Sequence, residues 1–70
     1  MYNELLESLD LVSRFDIEDY EKIGRPKVKA MTEKAVLLND IWIPKSQLRT
    51  DTHGNLYLAR WLYEKTFKFA

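Results

Sequence analysis

Few side chains in this sequence are of a type and spacing that can do bond-making chemistry. His53 is the single histidine, two residues from Asp51 in the polar run Thr50-Asp51-Thr52-His53-Gly54-Asn55. One histidine and one acid cannot close a metal site, since catalytic zinc needs three protein ligands, and there is no cysteine to add. Ser46 is the serine best suited to nucleophilic attack, but no base adjoins it. Two glycines cannot form a phosphate-cradling loop. The expectation is a protein that is not an enzyme and uses no cofactor.

Two other sets of residues suit binding. In Trp42-Ile43-Pro44-Lys45-Ser46 an aromatic ring stands beside a cation, the pairing with which single-stranded nucleic acid is held: bases stack, cations meet phosphates. Lys27, Lys29 and Arg49 extend that set, and Lys27 and Lys29 would share one side of an extended strand. The plainer readings are that Trp42 belongs to the core and that the lysines protect an edge strand. Against this basic set stands an acidic one: Glu7, Asp10, Asp16, Glu18, Asp19 and Glu21. Carboxylates displayed along a small rigid domain can occupy a basic groove on a partner protein. The plainer reading is a solvated face that offsets the basic sheet.

The formal charge of zero hides this division. Residues 1–24 carry seven acids against two bases, net −5, and residues 25–70 carry nine bases against four acids, net +5. Such asymmetry presents two surfaces to different partners, or draws the two halves together within one fold. A chain of 70 residues is one domain, with little room for a deep cleft. Hydrophobic content of 46% suffices for a core, to which the nine aromatic residues contribute much of the buried area. No run approaches the roughly 20 apolar residues of a membrane span, and the first residues lack a signal-peptide pattern. The expected compartment is the cytoplasm, with no membrane partner; the oligomeric state, monomer or dimer, is left open.

The elements that must position these residues follow from periodicity. Tyr2, Leu5, Leu6, Leu9 and Val12 recur at three- and four-residue steps and predict a helix over 3–13, capped by Asn3. Asp16 caps a second short helix over 17–23, stopped by Gly24. Arg25-Pro26 switches the chain to a period of two. Val28, Ala30 and Thr32 fall on one side, with Lys27, Lys29 and Met31 on the other. Residues 34–38 and 41–43 form a hairpin about Asn39-Asp40, two residues that tolerate the left-handed conformation. Pro44 belongs at an edge or bend, residues 46–49 form a short strand, 56–58 a brief strand, 59–66 a helix, and 67–69 a last edge strand. The sum is an α+β domain, 1–70. An acidic helical region (1–24) precedes a basic part (25–70) with a small antiparallel sheet, SH3-like or OB-like if it closes into a barrel, and a C-terminal helix.

Within this frame, Lys34-Ala35-Val36-Leu37-Leu38, then Ile41-Trp42-Ile43-Pro44-Lys45-Ser46-Gln47-Leu48 and Trp61-Leu62-Tyr63-Glu64-Lys65, resemble a pattern of small phage, prophage and mobile-element proteins. There a Lys-Ala-aliphatic strand leads through a turn into Trp-Ile-Pro-Lys-Ser-Gln-aliphatic, and a Trp-Leu segment with lysine follows. The resemblance covers roughly residues 33–65 and implies a mobile-element origin and a small sheet with a helix. It leaves the acidic first 24 residues outside the pattern. With the size and charge division, it leads to the expectation of an accessory protein that binds, and can inhibit, a host or defence complex, in the manner of an anti-CRISPR protein. The alternative is a nucleic-acid-binding module built on Trp42, Lys45, Lys27, Lys29 and Arg49.

Overall fold

The computed structural model describes residues 2–67. Helix α1 (Tyr2–Ser8) is followed by an irregular segment and a 3-10 turn (Ile17–Asp19). Then come β1 (Tyr20–Gly24), β2 (Val28–Met31), β3 (Ala35–Leu38), β4 (Ile41–Pro44), a second 3-10 turn (Lys45–Gln47), β5 (Leu48–Thr50), β6 (Leu56–Ala59) and α2 (Arg60–Thr66). The fold is α+β. Its strands form two antiparallel three-stranded sheets, in the orders β1-β6-β5 and β2-β3-β4.

The core lies between them. Val36, Leu38 and Ile43 from one sheet meet Leu48, Leu56 and Leu58 from the other, and α1 contributes Leu5, all fully buried. The radius of gyration, 11.0 Å, is the value of about 11 Å that a closely packed chain of this length adopts.

The hairpin forms as its turn chemistry dictates. Asn39 and Asp40 take φ of 50° and 66°, two successive left-handed residues, as a two-residue turn matched to strand twist requires. Leu38 then faces Ile41, Leu37 faces Trp42, Val36 faces Ile43 and Ala35 faces Pro44. Paired residues alternate between hydrogen-bonded and non-bonded positions, and the Lys45 N–H bond to the Lys34 carbonyl (2.9 Å) fixes the phase. Pro44 therefore stands where an N–H would point to the open edge of β4. The strand at 56–58 and the helix after it also form as expected, as Leu56–Ala59 and Arg60–Thr66.

Several expectations are corrected. The first helix stops at Ser8 instead of continuing to 13. Beyond it the backbone pairs with the edge of β5: the Val12 N–H donates to the Thr50 carbonyl (2.8 Å) and the Thr50 N–H to the Asp10 carbonyl (3.0 Å). Thr50 is 4% exposed, so its peptide groups need those partners more than the helix needs another turn. The predicted helix over 17–23 is a single 3-10 turn followed by β1, so residues 1–24 are not wholly helical. The reason is long-range: β6 is central and β1 supplies the hydrogen-bonding neighbour on one side, Tyr20 opposite Ala59 and Lys22 opposite Tyr57. Gly24 does adopt a positive φ, 75°, but at a strand end next to a bulge. A second bulge between Val28 and Ala30 breaks the simple alternation of β2: Val28 and Met31 pack against the core, while Ala30 pairs with Leu37. The strand placed at 46–49 begins at Leu48, after the 3-10 turn. Phe67 closes α2 in a helical conformation instead of starting a strand, and Lys68 and Phe69 lie outside the described residues.

Candidate functional site

The segment that leaves α1 carries three of the five exposed large apolar side chains among the described residues. Leu11 is 59% exposed, Phe15 86% and Ile17 41%. A small domain has few large apolar groups to spare, so three exposed within seven residues set this segment apart. The local backbone explains how Phe15 is presented. Asp16 Oδ1 accepts from the Ser13 N–H (2.9 Å) and from Ser13 Oγ (3.1 Å), and Ser13 Oγ accepts from the Phe15 N–H (3.2 Å). The Asp16 and Ile17 N–H groups both donate back to the Ser13 carbonyl. Phe15 therefore projects from a turn closed by five hydrogen bonds, with the Arg14 guanidinium 5.3 Å above its ring. At its N-terminal end the segment is tied to β5 through Asp10 and Val12.

The acidic residues separate into two kinds. Glu7, Asp10, Glu18 and Asp19 are exposed. Asp16 is spent on the Ser13 turn, and Glu21 lies on β1 and meets Arg60 of α2 at 3.7 Å. That contact and Lys29–Asp40 (2.7 Å) are the ion pairs among the described residues. Attraction between the acidic and basic parts therefore consumes one acid of the predicted set directly, and four stay turned to solvent.

The basic set does not form one surface. Trp42 is 52% exposed on the outer face of β4, which answers the question of core or surface. Its stripe continues across the sheet through its partner Leu37 to Ala30, with Pro44 exposed beside it. Lys27 and Lys29 flank and enter β2 on the same sheet, although Lys29 is held by Asp40. Lys45 and Arg49 lie elsewhere, around a shallow hollow of about 330 Å³ shared with Asp10 and Glu33. Arg49 is structurally engaged: it donates to the Ser46 and Leu48 carbonyls (3.0 and 2.8 Å) and packs 5.3 Å from the Tyr20 ring. Trp61 on α2 is 54% exposed, with Lys65 5.6 Å from its ring.

The polar loop 51–55 is a framework device. The Asp51 carboxylate accepts from the His53 and Asn55 N–H groups (2.8 and 3.0 Å), from Asn55 Nδ2 (3.2 Å) and from the Tyr57 hydroxyl (3.1 Å). These bonds, that of the Asn55 N–H foremost, hold its pKa well below the ordinary carboxylate value. Burial and the Asp51 carboxylate push the Tyr57 hydroxyl up, and burial raises Tyr2, whose hydroxyl donates to the Gly54 carbonyl at 2.7 Å. Arg25 donates to the His53 carbonyl, fastening the same loop from outside. No group of three histidine or acidic residues able to hold a metal occurs among the described residues, and none of their helices is long and apolar enough to cross a membrane.

The segment around Phe15 was missed by periodicity. Its signal is that Phe15 lies among acids in the gap between the two predicted helices, and that Leu11 is off the apolar face of the first. No protein-family model matches the chain, and no curated protein or solved structure is significantly similar to it.

Proposed function

We propose that the chain is a non-enzymatic accessory protein of a phage or other mobile element, acting in the host cytoplasm by binding, and thereby inhibiting, a host or defence protein complex. The observation that carries this reading is Phe15, 86% exposed and fixed in a hydrogen-bonded turn within a strongly acidic segment. Residues 10–19 hold Asp10, Asp16, Glu18 and Asp19 against Arg14, net −3. An aromatic anchor held in place before binding costs little ordering entropy, and a carboxylate rim selects a partner whose apolar pocket is ringed by lysine or arginine.

Capture from host lysate on immobilised protein tests it. Phe15→Ala, and separately Glu18→Lys with Asp19→Lys, should each lose the captured complex. Asp16 is left intact because it closes the turn. Undiminished capture by both variants would refute the reading.

Binding of single-stranded nucleic acid is the second reading, favoured by the exposure of Trp42 on the sheet that Lys27 and Lys29 flank and enter. It predicts binding to oligonucleotides that weakens steeply with salt and is lost in Trp42→Ala. In this reading Lys27 and Lys29 supply the cations nearest the sheet, and Lys45 and Arg49 line a separate hollow.

A further inference from the structure

We infer that the outer face of the β2-β3-β4 sheet is a docking site for a second copy of this chain, seated head to tail through its residues 10–19; this rests on reading that segment as a docking element. Each surface has what the other lacks. The sheet face offers an apolar stripe, Ala30-Leu37-Trp42, crossing three strands at about 4.8 Å spacing. The segment offers Leu11, Phe15 and Ile17.

Their charges are opposite in sign. With Arg25 turned to the His53 carbonyl, the β2-β3-β4 sheet and its flanks hold Lys27, Lys29 and Lys34 against Glu33 and Asp40, net +1, opposite in sign to the −3 of residues 10–19. Lys27 and Lys34 meet no carboxylate among the described residues. Since the whole chain carries no net charge, no long-range repulsion keeps copies apart, and the local fields orient them.

The segment does not cover its own sheet face. Its backbone at Asp10 and Val12 is fastened to β5 of the other sheet, and Phe15 stays 86% exposed. Satisfying both surfaces takes a neighbour. The contact joins two different patches, so it is heterologous and extends to a ring or an open chain instead of stopping at a symmetric pair. In that arrangement the self-contact competes with any outside partner for Phe15.

Sedimentation velocity of the full chain at about 10 mM and about 150 mM salt, where the screening length falls from about 30 Å to about 8 Å, provides the test. The wild type should gain mass as its concentration rises at low salt and lose that gain at high salt. Phe15→Ala and Trp42→Ala should each remain monomeric alone. Their equimolar mixture should form dimers that grow no further, because one copy keeps its sheet face and the other its segment. If either variant fails to fold, Lys27→Glu with Lys34→Glu mixed with Glu18→Lys with Asp19→Lys replaces the pair, and association should return only in the mixture. A wild type that is monomeric at low salt overturns the inference, as does a mixture that shows no complementation. Oligonucleotide binding lost in Trp42→Ala, with the protein alone monomeric, also overturns it and assigns the face to nucleic acid. Lysate capture needs no second copy, so loss of capture without self-association separates failure of this inference from failure of the reading beneath it.

Discussion

Replacing Phe15 by alanine separates binding from folding more cleanly than any other change in the molecule. With 86% of the residue exposed, about one-seventh of the roughly 1.5–3 kcal/mol that full burial of phenylalanine gives is realised in the free protein, or about 0.2–0.4 kcal/mol. Losing the exposed contact with Arg14 adds about 0.5 kcal/mol. In a domain of this size 1 kcal/mol moves Tm by about 7 °C, so the variant should melt less than about 7 °C below the wild type. The remaining six-sevenths is available to a partner, about 1.3–2.6 kcal/mol, so Kd should rise between about 10-fold and about 80-fold. Thermal melts followed by circular dichroism read the first quantity, and calorimetry against the captured partner reads the second. A Tm loss above about 10 °C would show that Phe15 packs in the fold. A Kd unchanged within twofold would show that the segment is not the anchor.

Leu5→Ala should do the reverse: its side chain is fully buried between the sheets, so about 2.7–5 kcal/mol is lost, and chemical denaturation should find a protein largely or wholly unfolded at 37 °C. Gly54 has φ of +81°, and a Cβ there would stand 3.0 Å from the Arg25 guanidinium. Gly54→Ala should therefore cost about 1–2 kcal/mol, read as a Tm lower by about 7–14 °C. Asp51 has a depressed pKa in the fold, so its contribution is present above the unfolded carboxylate value of about 3.9 and is lost as pH falls through the folded value. Melting temperature should thus decline below about pH 4 in the wild type, and Asp51→Asn should be less stable at pH 7 with a shallower acid limb.

Local chemistry was the legible part of the fold. Asn39-Asp40 announced its hairpin because two residues that accept positive φ sit between β-forming runs, and nothing distant is needed to close that turn. The passage from β6 into α2 was also visible in the change of apolar period. By contrast, β1 depends on a partner far along the chain, Tyr20 opposite Ala59, and no window around Tyr20 contains that information. The early end of α1 has the same origin, since the demand for hydrogen bonds comes from Thr50. The bulge in β2 reversed which side Ala30 faces, because one added residue inverts every later side chain. At the candidate site, the acidic charges were read correctly as charges. Which of them face solvent depended on side-chain bonds, those of Asp16 to Ser13 and Glu21 to Arg60, that spacing does not encode.

Pro44 has a consequence for the material behaviour of the protein. It occupies one of the outward-facing positions of β4, so another strand laid along that edge would find no hydrogen there to accept. Trp42 next to it invites contact, but with the face of the sheet and not with its backbone. At the β4 edge this disfavours cross-β addition, which needs an unbroken ladder. A single imino acid thus breaks the backbone ladder beside an exposed tryptophan at the edge where that ring stands.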